Sequence, residues 1–143
     1  MMESNLENIK GFKVFVTGAF DIIHPGHIYF LKKAKQRGEF LVVGLLSDKA
    51  VSKFKEDKRP IVPFEERKEI LLSIEFVDFV IPVENLKNSI EKVKPDLIMK
   101  CEGDNYFTKD EIKSFKGKII NIKRLEPFSI SYFIKKILKS KKD

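Results

Sequence analysis

Lys13-Val-Phe-Val-Thr17 runs directly into Gly18-Ala-Phe-Asp21-Ile-Ile-His24-Pro25-Gly26-His27. The first five residues form a short apolar run ended by a glycine, which reads as a buried strand. Pro25 stands where a first helical residue belongs, because its missing N–H is one that a helix start leaves unpaired anyway. Ile28, Leu31 and Ala34 then recur at helical spacing, and Gly38 supplies a stop. The next run, Phe40-Leu-Val-Val-Gly-Leu-Leu46, is apolar without alternation. A strand of that kind suits a parallel sheet covered on both faces.

The same alternation continues to the end of the chain. Ser47 to Pro60 is polar and lysine-rich and reads as a loop with one helical turn at most. Pro63 opens a second helix reaching Ser73, with Glu65 and Glu66 suited to the positive end of its dipole. A third strand covers Phe76 to Ile81, closed by Pro82; a third helix runs from Glu84 to Lys94 and is stopped by Pro95. Asp96 to Lys100 is a fourth strand, Cys101 to Thr108 a loop, Lys109 to Phe115 a weak helix and Lys118 to Lys123 a fifth strand. A last helix spans Ile130 to Leu138, capped by Ser129 or Ser131. The pattern predicts an α/β fold with a five-stranded parallel sheet and helices on both faces. With no repeat, low-complexity segment or linker, residues 1–143 read as a single domain. Ligands in such sheets bind beyond the carboxyl ends of the strands. The informative loops are therefore Gly18–His24, Ser47–Pro60, Cys101–Thr108 and Arg124–Ser131.

Composition narrows the class. A hydrophobic fraction of 43% with 13 Phe in 143 residues supports one real core. Cys101 is the lone cysteine, so no internal disulfide can form, which fits a reducing compartment. No apolar run approaches the roughly 20 residues of a spanning helix. Met1 to Lys10 carries Glu3 and Glu7 and lacks the apolar stretch of a secretory signal. The expectation is a cytoplasmic protein with no membrane partner. The net charge of +7 admits a nucleic-acid ligand or a small polyanionic substrate. Part of it lies in Lys135, Lys136, Lys139, Lys141 and Lys142, which read as a solvated helix end. No aromatic-basic stacking motif or helix-turn-helix pattern favours nucleic acid, so none is expected.

The first loop concentrates the chemistry. Gly18 lets backbone approach a ligand closely. The helix opening at Pro25 points its free amides back at the loop, a natural phosphate site. His24 and His27, the only histidines in the chain, are three apart and share a helical face. Two imidazoles beside a helix start make a cradle for phosphate; the plainer alternative is that one caps and the other packs.

Gly18-Ala-Phe-Asp21 followed by His24-Pro-Gly-His27 resembles the HxGH signature of the cytidylyltransferase-like nucleotidyltransferases. The likeness extends from about Lys13 to Leu138. Ser47-Asp48, Lys55, Arg59-Pro60, Pro63 and Glu66-Arg67 are similar to the middle of heptose-phosphate adenylyltransferases and glycerol-3-phosphate cytidylyltransferases. Phe76-Val-Asp-Phe-Val-Ile-Pro82, Lys94-Pro-Asp96 and Gly103-Asp104 fall where those families have VD-x-V-x-P, PD and GD.

The resemblance implies a Rossmann-like three-layer α/β/α fold. It also implies transfer of CMP or AMP from a nucleoside triphosphate to a phosphorylated sugar or polyol, with release of pyrophosphate. His24 and His27 would contact the triphosphate, with Lys55 and Arg124 also catalytic and Lys53 in reserve for Lys55. Thr17, Gly18, Ala19, Phe20, Gly26, Asp104, Ser129, Ile130 and Ser131 would join Arg124 and the histidines around the nucleotide. Asp21 is placed with them, either ordering the loop or serving as a turn residue. Arg59 and Arg67 are lesser candidates, Arg67 having the alternative of pairing with a carboxylate. Arg124-Leu-Glu-Pro-Phe-Ser-Ile-Ser131 resembles the R-T-E-G-I-S-T-T of cytidylyltransferases but departs at Pro127 and Ile130. The resemblance further implies Mg2+ arriving with the nucleotide rather than on a cluster of protein ligands, and a homodimer. An FAD synthase-type adenylyltransferase and a nucleotide-binding module without catalysis are the alternatives.

Overall fold

A computed structural model of the chain describes residues 3–54, 59–104 and 109–141. After a 3-10 turn at Glu3–Asn8 the order is β1 (Lys13–Gly18), α1 (Pro25–Lys35), β2 (Phe40–Leu46), α2 (Asp48–Phe54), α3 (Phe64–Leu72), β3 (Phe79–Val83), α4 (Leu86–Val93), β4 (Leu97–Cys101), α5 (Lys109–Ile112), β5 (Lys118–Ile122) and α6 (Ile130–Ser140). The five strands form one parallel sheet in the order β3-β2-β1-β4-β5. The expected Rossmann-like α/β fold is therefore present.

Period-two alternation builds two cores from the same strands. Val14 and Val16 of β1, with Val43 and Leu45 of β2, pack against Phe30, Leu31 and Ala34 of α1 and Leu71 of α3. The intervening Phe15, Val42 and Leu46 meet Ala50 and Val51 of α2, with Leu86, Ile90 and Val93 of α4, on the other face. Each fully buried Leu or Phe contributes about 1.5–3 kcal/mol by leaving water, so both layers hold the sheet.

Several boundaries differ from expectation for identifiable reasons. Where a loop was expected after β2, α2 forms seven residues. The Ser47 hydroxyl accepts the Ala50 N–H at 3.1 Å, and the adjacent pair Ala50–Val51 is buried among otherwise polar neighbours. Pro63 is the residue before α3 rather than its first, with extended ψ of 156°. β3 begins at Phe79, because Phe76 and Val77 belong to a turn that donates the Val77 N–H to Ile74. It also runs through Pro82 to Val83. β3 is an edge strand, so a residue lacking an N–H costs no ladder bond there. Asn85 caps α4 by accepting the Asn88 N–H, and Lys94 closes it at φ 52°. α5 keeps only a single turn. Ser129, not Ser131, caps α6.

From β1 the chain steps outward through β2 to β3, then crosses to the other side of β1 for β4 and β5. The carboxyl end of β1 is thus the point where the winding reverses, the place where such sheets bind ligands.

Candidate functional site

A cavity of about 170 Å3 opens at that reversal point. Its floor is the end of β1 and the loop after it: Thr17, Gly18, Ala19 and Phe20. The Thr17 hydroxyl donates to the Gly44 carbonyl at 2.7 Å, fixing the strand end against β2. Phe20 holds the left-handed conformation at φ 47°, unusual for a bulky residue. That turn folds its ring back over Gly18, where an added Cβ would lie 3.0 Å from Phe20 Cε2. The same ring sits 5.3 Å from that of His27.

The histidine pair forms the start of α1. His24 is the N-cap, and its Nδ1 accepts the Gly26 N–H at 3.1 Å. His27, at the third helical position, returns the favour: its Nδ1 accepts the His24 N–H at 3.2 Å. Two imidazoles thus take the parts that Ser and Glu play in a capping box. The rings lie 3.8 Å apart at 32°. With each Nδ1 an acceptor, each neutral ring carries its proton on Nε2. Both are held neutral. Burial pulls His24 below its ordinary 6.5, with Arg124 adding to the effect. Burial first, then His24 and Arg124, bring His27 down to about 3. Capping and ligand binding are therefore not competing duties, since capping uses Nδ1 and leaves Nε2–H as a donor.

The far wall comes from the ends of β4 and β5. Cys101 and Asp104 follow β4, and Lys123, Arg124 and Leu125 follow β5. The Cys101 thiol is pushed up by burial, then by Asp104, against the opposing pull of Arg124 and its hydrogen bond. Phe128 and Phe133 stack on the His24 side, with ring centroids 6.4 and 5.5 Å from its imidazole. Ser129 Oγ accepts the Tyr132 N–H at 3.0 Å, starting α6 with its free amides at the cavity. Ile130 and Ser131 complete that lip.

The fold thus gathers Thr17, Gly18, Ala19, Phe20, His24, Gly26, His27, Asp104, Arg124, Ser129, Ile130 and Ser131 around one cavity. Two expected residues are not among them. Lys55 lies outside the described residues. Asp21 stands behind the wall, 2% exposed, where its carboxylate accepts the Ile61 and Val62 N–H groups at 2.9 and 2.8 Å. It orders the loop and is not a cavity residue. Lys53 lines a separate depression of about 190 Å3 with Thr17, Glu84 and Glu111. Arg59 lines the main cavity. Arg67 is fully buried: it donates to the Ala19, Leu46 and Val62 carbonyls and pairs with Asp48 of α2 at 2.7 Å. Sequence reasoning missed the apolar lining of Tyr29, Phe30, Leu125 and Phe128, and also Lys123. The aromatic just before the Ser129 cap was the available signal for Phe128.

A parallel sheet with its cavity at the winding reversal, a paired-histidine helix start on one side and a cationic helix lip on the other, defines a nucleotidyltransferase-type α/β domain. The chain belongs to the cytidylyltransferase-like family, whose model matches residues 15–140. It is 38% identical to the bifunctional protein HldE of Helicobacter pylori strain P12, over 99% of this chain and 31% of that protein. To the HldE protein of Geobacter sulfurreducens it is 33% identical, over 89% of this chain and 27% of that one. The chain therefore spans about a third of the length of these curated relatives. Among solved structures, a lipopolysaccharide core biosynthesis protein from Thermoplasma volcanium matches with a TM-score of 0.71 at 29% identity, covering 82% of this chain and all of that one. Pantothenate synthetase from Thermus thermophilus, at 15% identity and a TM-score of 0.61 over 94% of this chain and 68% of its own, shares the fold.

Proposed function

We propose that the protein transfers a nucleoside monophosphate, AMP foremost, from a nucleoside triphosphate to a sugar 1-phosphate of the heptose type. The observation that carries the reading is the neutral histidine pair at the head of α1, facing the α6 start and Arg124 across one cavity. In the step envisaged, an oxygen of the acceptor phosphate attacks the α-phosphorus. The bond from that phosphorus to the α–β bridging oxygen breaks, and pyrophosphate leaves. The acceptor is already an anion near neutral pH, its second ionisation falling at about 6, so no protein base is needed. The protein's part is positioning and stabilising charge on the transferring group. The Nε2–H groups of His24 and His27 donate to that group. Arg124, Lys123 and the α6 amides beside Ser129 and Ser131 take the departing pyrophosphate. The apolar recess of Tyr29, Leu125 and Phe128 suits the base.

Mg2+ would arrive with the nucleotide as part of the substrate and supply charge neutralisation to the triphosphate. Among the described residues no group of three or more His, Cys, Asp or Glu could hold a metal. Asp104 is the one carboxylate among the described lining residues. A nucleotide-borne ion with waters fits that donor set.

The sugar 1-phosphate acceptor rests on the likeness to HldE and to the lipopolysaccharide core biosynthesis protein. A second reading, CMP transfer to a polyol phosphate, is favoured by Arg124-x-Glu126. The proposal includes a homodimer on the family resemblance; a monomer by light scattering at working concentration would remove it. It also includes a cytoplasmic location and no nucleic-acid partner; among the described residues no helix is long and apolar enough to cross a membrane. Thermal stabilisation by ATP, CTP, GTP and UTP with Mg2+ tests the nucleotide assignment. A ligand at about 100 times its dissociation constant adds roughly 2.7 kcal/mol. A shift with ATP supports the leading reading, a shift with CTP alone supports the second, and no shift with any of the four contradicts both.

A further inference from the structure

Two buried charges grip a short stretch of exposed chain. The Asp21 carboxylate, 2% exposed, accepts the N–H groups of Ile61 and Val62. Arg67, fully buried, donates from Nε to the Val62 carbonyl at 2.8 Å. Burying charge is costly unless its bonds are well met. Ile61 itself is 53% exposed, so the stretch is not being held to bury its own side chains. What the grip fixes is the approach of Arg59, two residues earlier, which lines the main cavity. Among the described residues no carboxylate pairs with Arg59, whereas each of the three guanidinium nitrogens of Arg67 is engaged, on the Ala19, Leu46 and Val62 carbonyls and on Asp48.

The side from which Arg59 enters matters. It follows β2, on one side of β1, whereas Lys123 and Arg124 follow β5, beyond the opposite side. In displacement at phosphorus the attacking and leaving oxygens lie roughly in line on opposite sides of the transferring group. If pyrophosphate departs toward Arg124 and the start of α6, the nucleophile must come from the Arg59 side. A second depression, lined by Lys53 of α2, Glu84 just after β3 and Glu111 of α5, shares Thr17 with the cavity and gives room for the body of an acceptor.

We propose that Arg59 binds the phosphate of the acceptor, and that Asp21 and Arg67 are positioning residues that hold it in place; this rests on the nucleotidyl-transfer reading above. A fork of guanidinium donors suits a phosphate held by two oxygens while the third attacks.

The test is steady-state kinetics with MgATP and heptose 1-phosphate, together with calorimetric binding of MgATP alone. Arg59→Ala should raise the acceptor KM at least tenfold while the KM and dissociation constant of ATP stay within twofold. Arg59→Lys, keeping charge without the fork, should recover part of the loss. Asp21→Asn should raise the acceptor KM in the native background but add nothing to Arg59→Ala, a dependence that mere loosening of the fold would not produce. Melting curves identify any variant that fails to fold, and the two Arg59 substitutions, on a half-buried side chain, then decide alone. The proposal is overturned if Arg59→Ala weakens ATP and spares the acceptor, if it changes neither, or if the Asp21→Asn effect persists without Arg59. Wild-type protein that binds no nucleotide and gives no turnover would instead bring down the underlying reading, and this assignment with it.

Discussion

Lowering the pH from 7.5 to 5.5 should weaken the fold through His27. In the unfolded chain this imidazole titrates near its ordinary 6.5; in the fold it is held down at about 3 by burial, His24 and Arg124. Because the folded value is depressed, the unfolded state binds the proton first. The stabilising contribution is complete above pH 6.5 and is lost progressively as the pH falls from 6.5 toward 3. At pH 5.5 the unfolded imidazole is about nine-tenths protonated and the folded one hardly at all, a loss of roughly 1.4 kcal/mol for His27 relative to pH 7.5. His24, lowered in the same direction, adds to it. The assay is urea unfolding of the native protein and of His27→Asn at both pH values. Carboxylates common to the two proteins cancel in the comparison, and the Asn amide keeps an acceptor for the His24 N–H. The native protein should lose about 1.4 kcal/mol more than the variant between the two conditions. As the chain has only two histidines, their ring signals can also be followed by NMR without ambiguity. Parallel loss of stability in the two proteins, or a His27 midpoint at 6.5 or above, would refute the account of a neutral donor pair.

Other substitutions separate structure from function. Arg67→Met should cost about 3–5 kcal/mol, because it strands the Ala19, Leu46 and Val62 carbonyls, and lower the melting temperature by roughly 10–15 °C. Gly26→Ala places a Cβ 2.8 Å from His24 Cε1 and 3.1 Å from Phe128 Cβ, so the imidazole must move. Turnover should fall on the order of 100-fold with the fold retained, as measured by kcat beside circular dichroism. Ser129→Ala should cost about 1 kcal/mol of stability through loss of the α6 cap. Ser131→Ala should leave the melting temperature unchanged and weaken nucleotide binding in calorimetry.

How much of this was legible in the sequence depended on how local each signal was. Lys13 to His27 announced a buried strand, a glycine loop and a helix start because every cue lay within one turn or strand of the next. The loop-ordering role read for Asp21 holds, but its place behind the cavity wall was not legible because its partners, Ile61 and Val62, lie some 40 residues away. Arg67 offered a choice between phosphate and carboxylate, and no local pattern reveals that its donors meet Ala19, Leu46, Val62 and Asp48 at once. α2 was hidden because only Ala50 and Val51 of its seven residues are buried. Pro82 looked like a strand end because a sequence does not say which strand is an edge. Phe128 and Tyr29 line the cavity with little local signature, because an apolar aromatic in a sequence looks the same whether it faces a core or a cavity.

The central claim is that the cavity joins a nucleotide to a phosphorylated acceptor. The most direct measurement is pyrophosphate release by the purified protein with Mg2+, ATP or CTP, and heptose 1-phosphate or glycerol 3-phosphate, with each substrate also omitted in turn. The expected result is pyrophosphate formed in step with a nucleotide-linked product, only when both substrates are present, and reduced by two to three orders of magnitude in His24→Ala and His27→Ala. Pyrophosphate release that ignores the acceptor, or full turnover in both histidine variants, would contradict it.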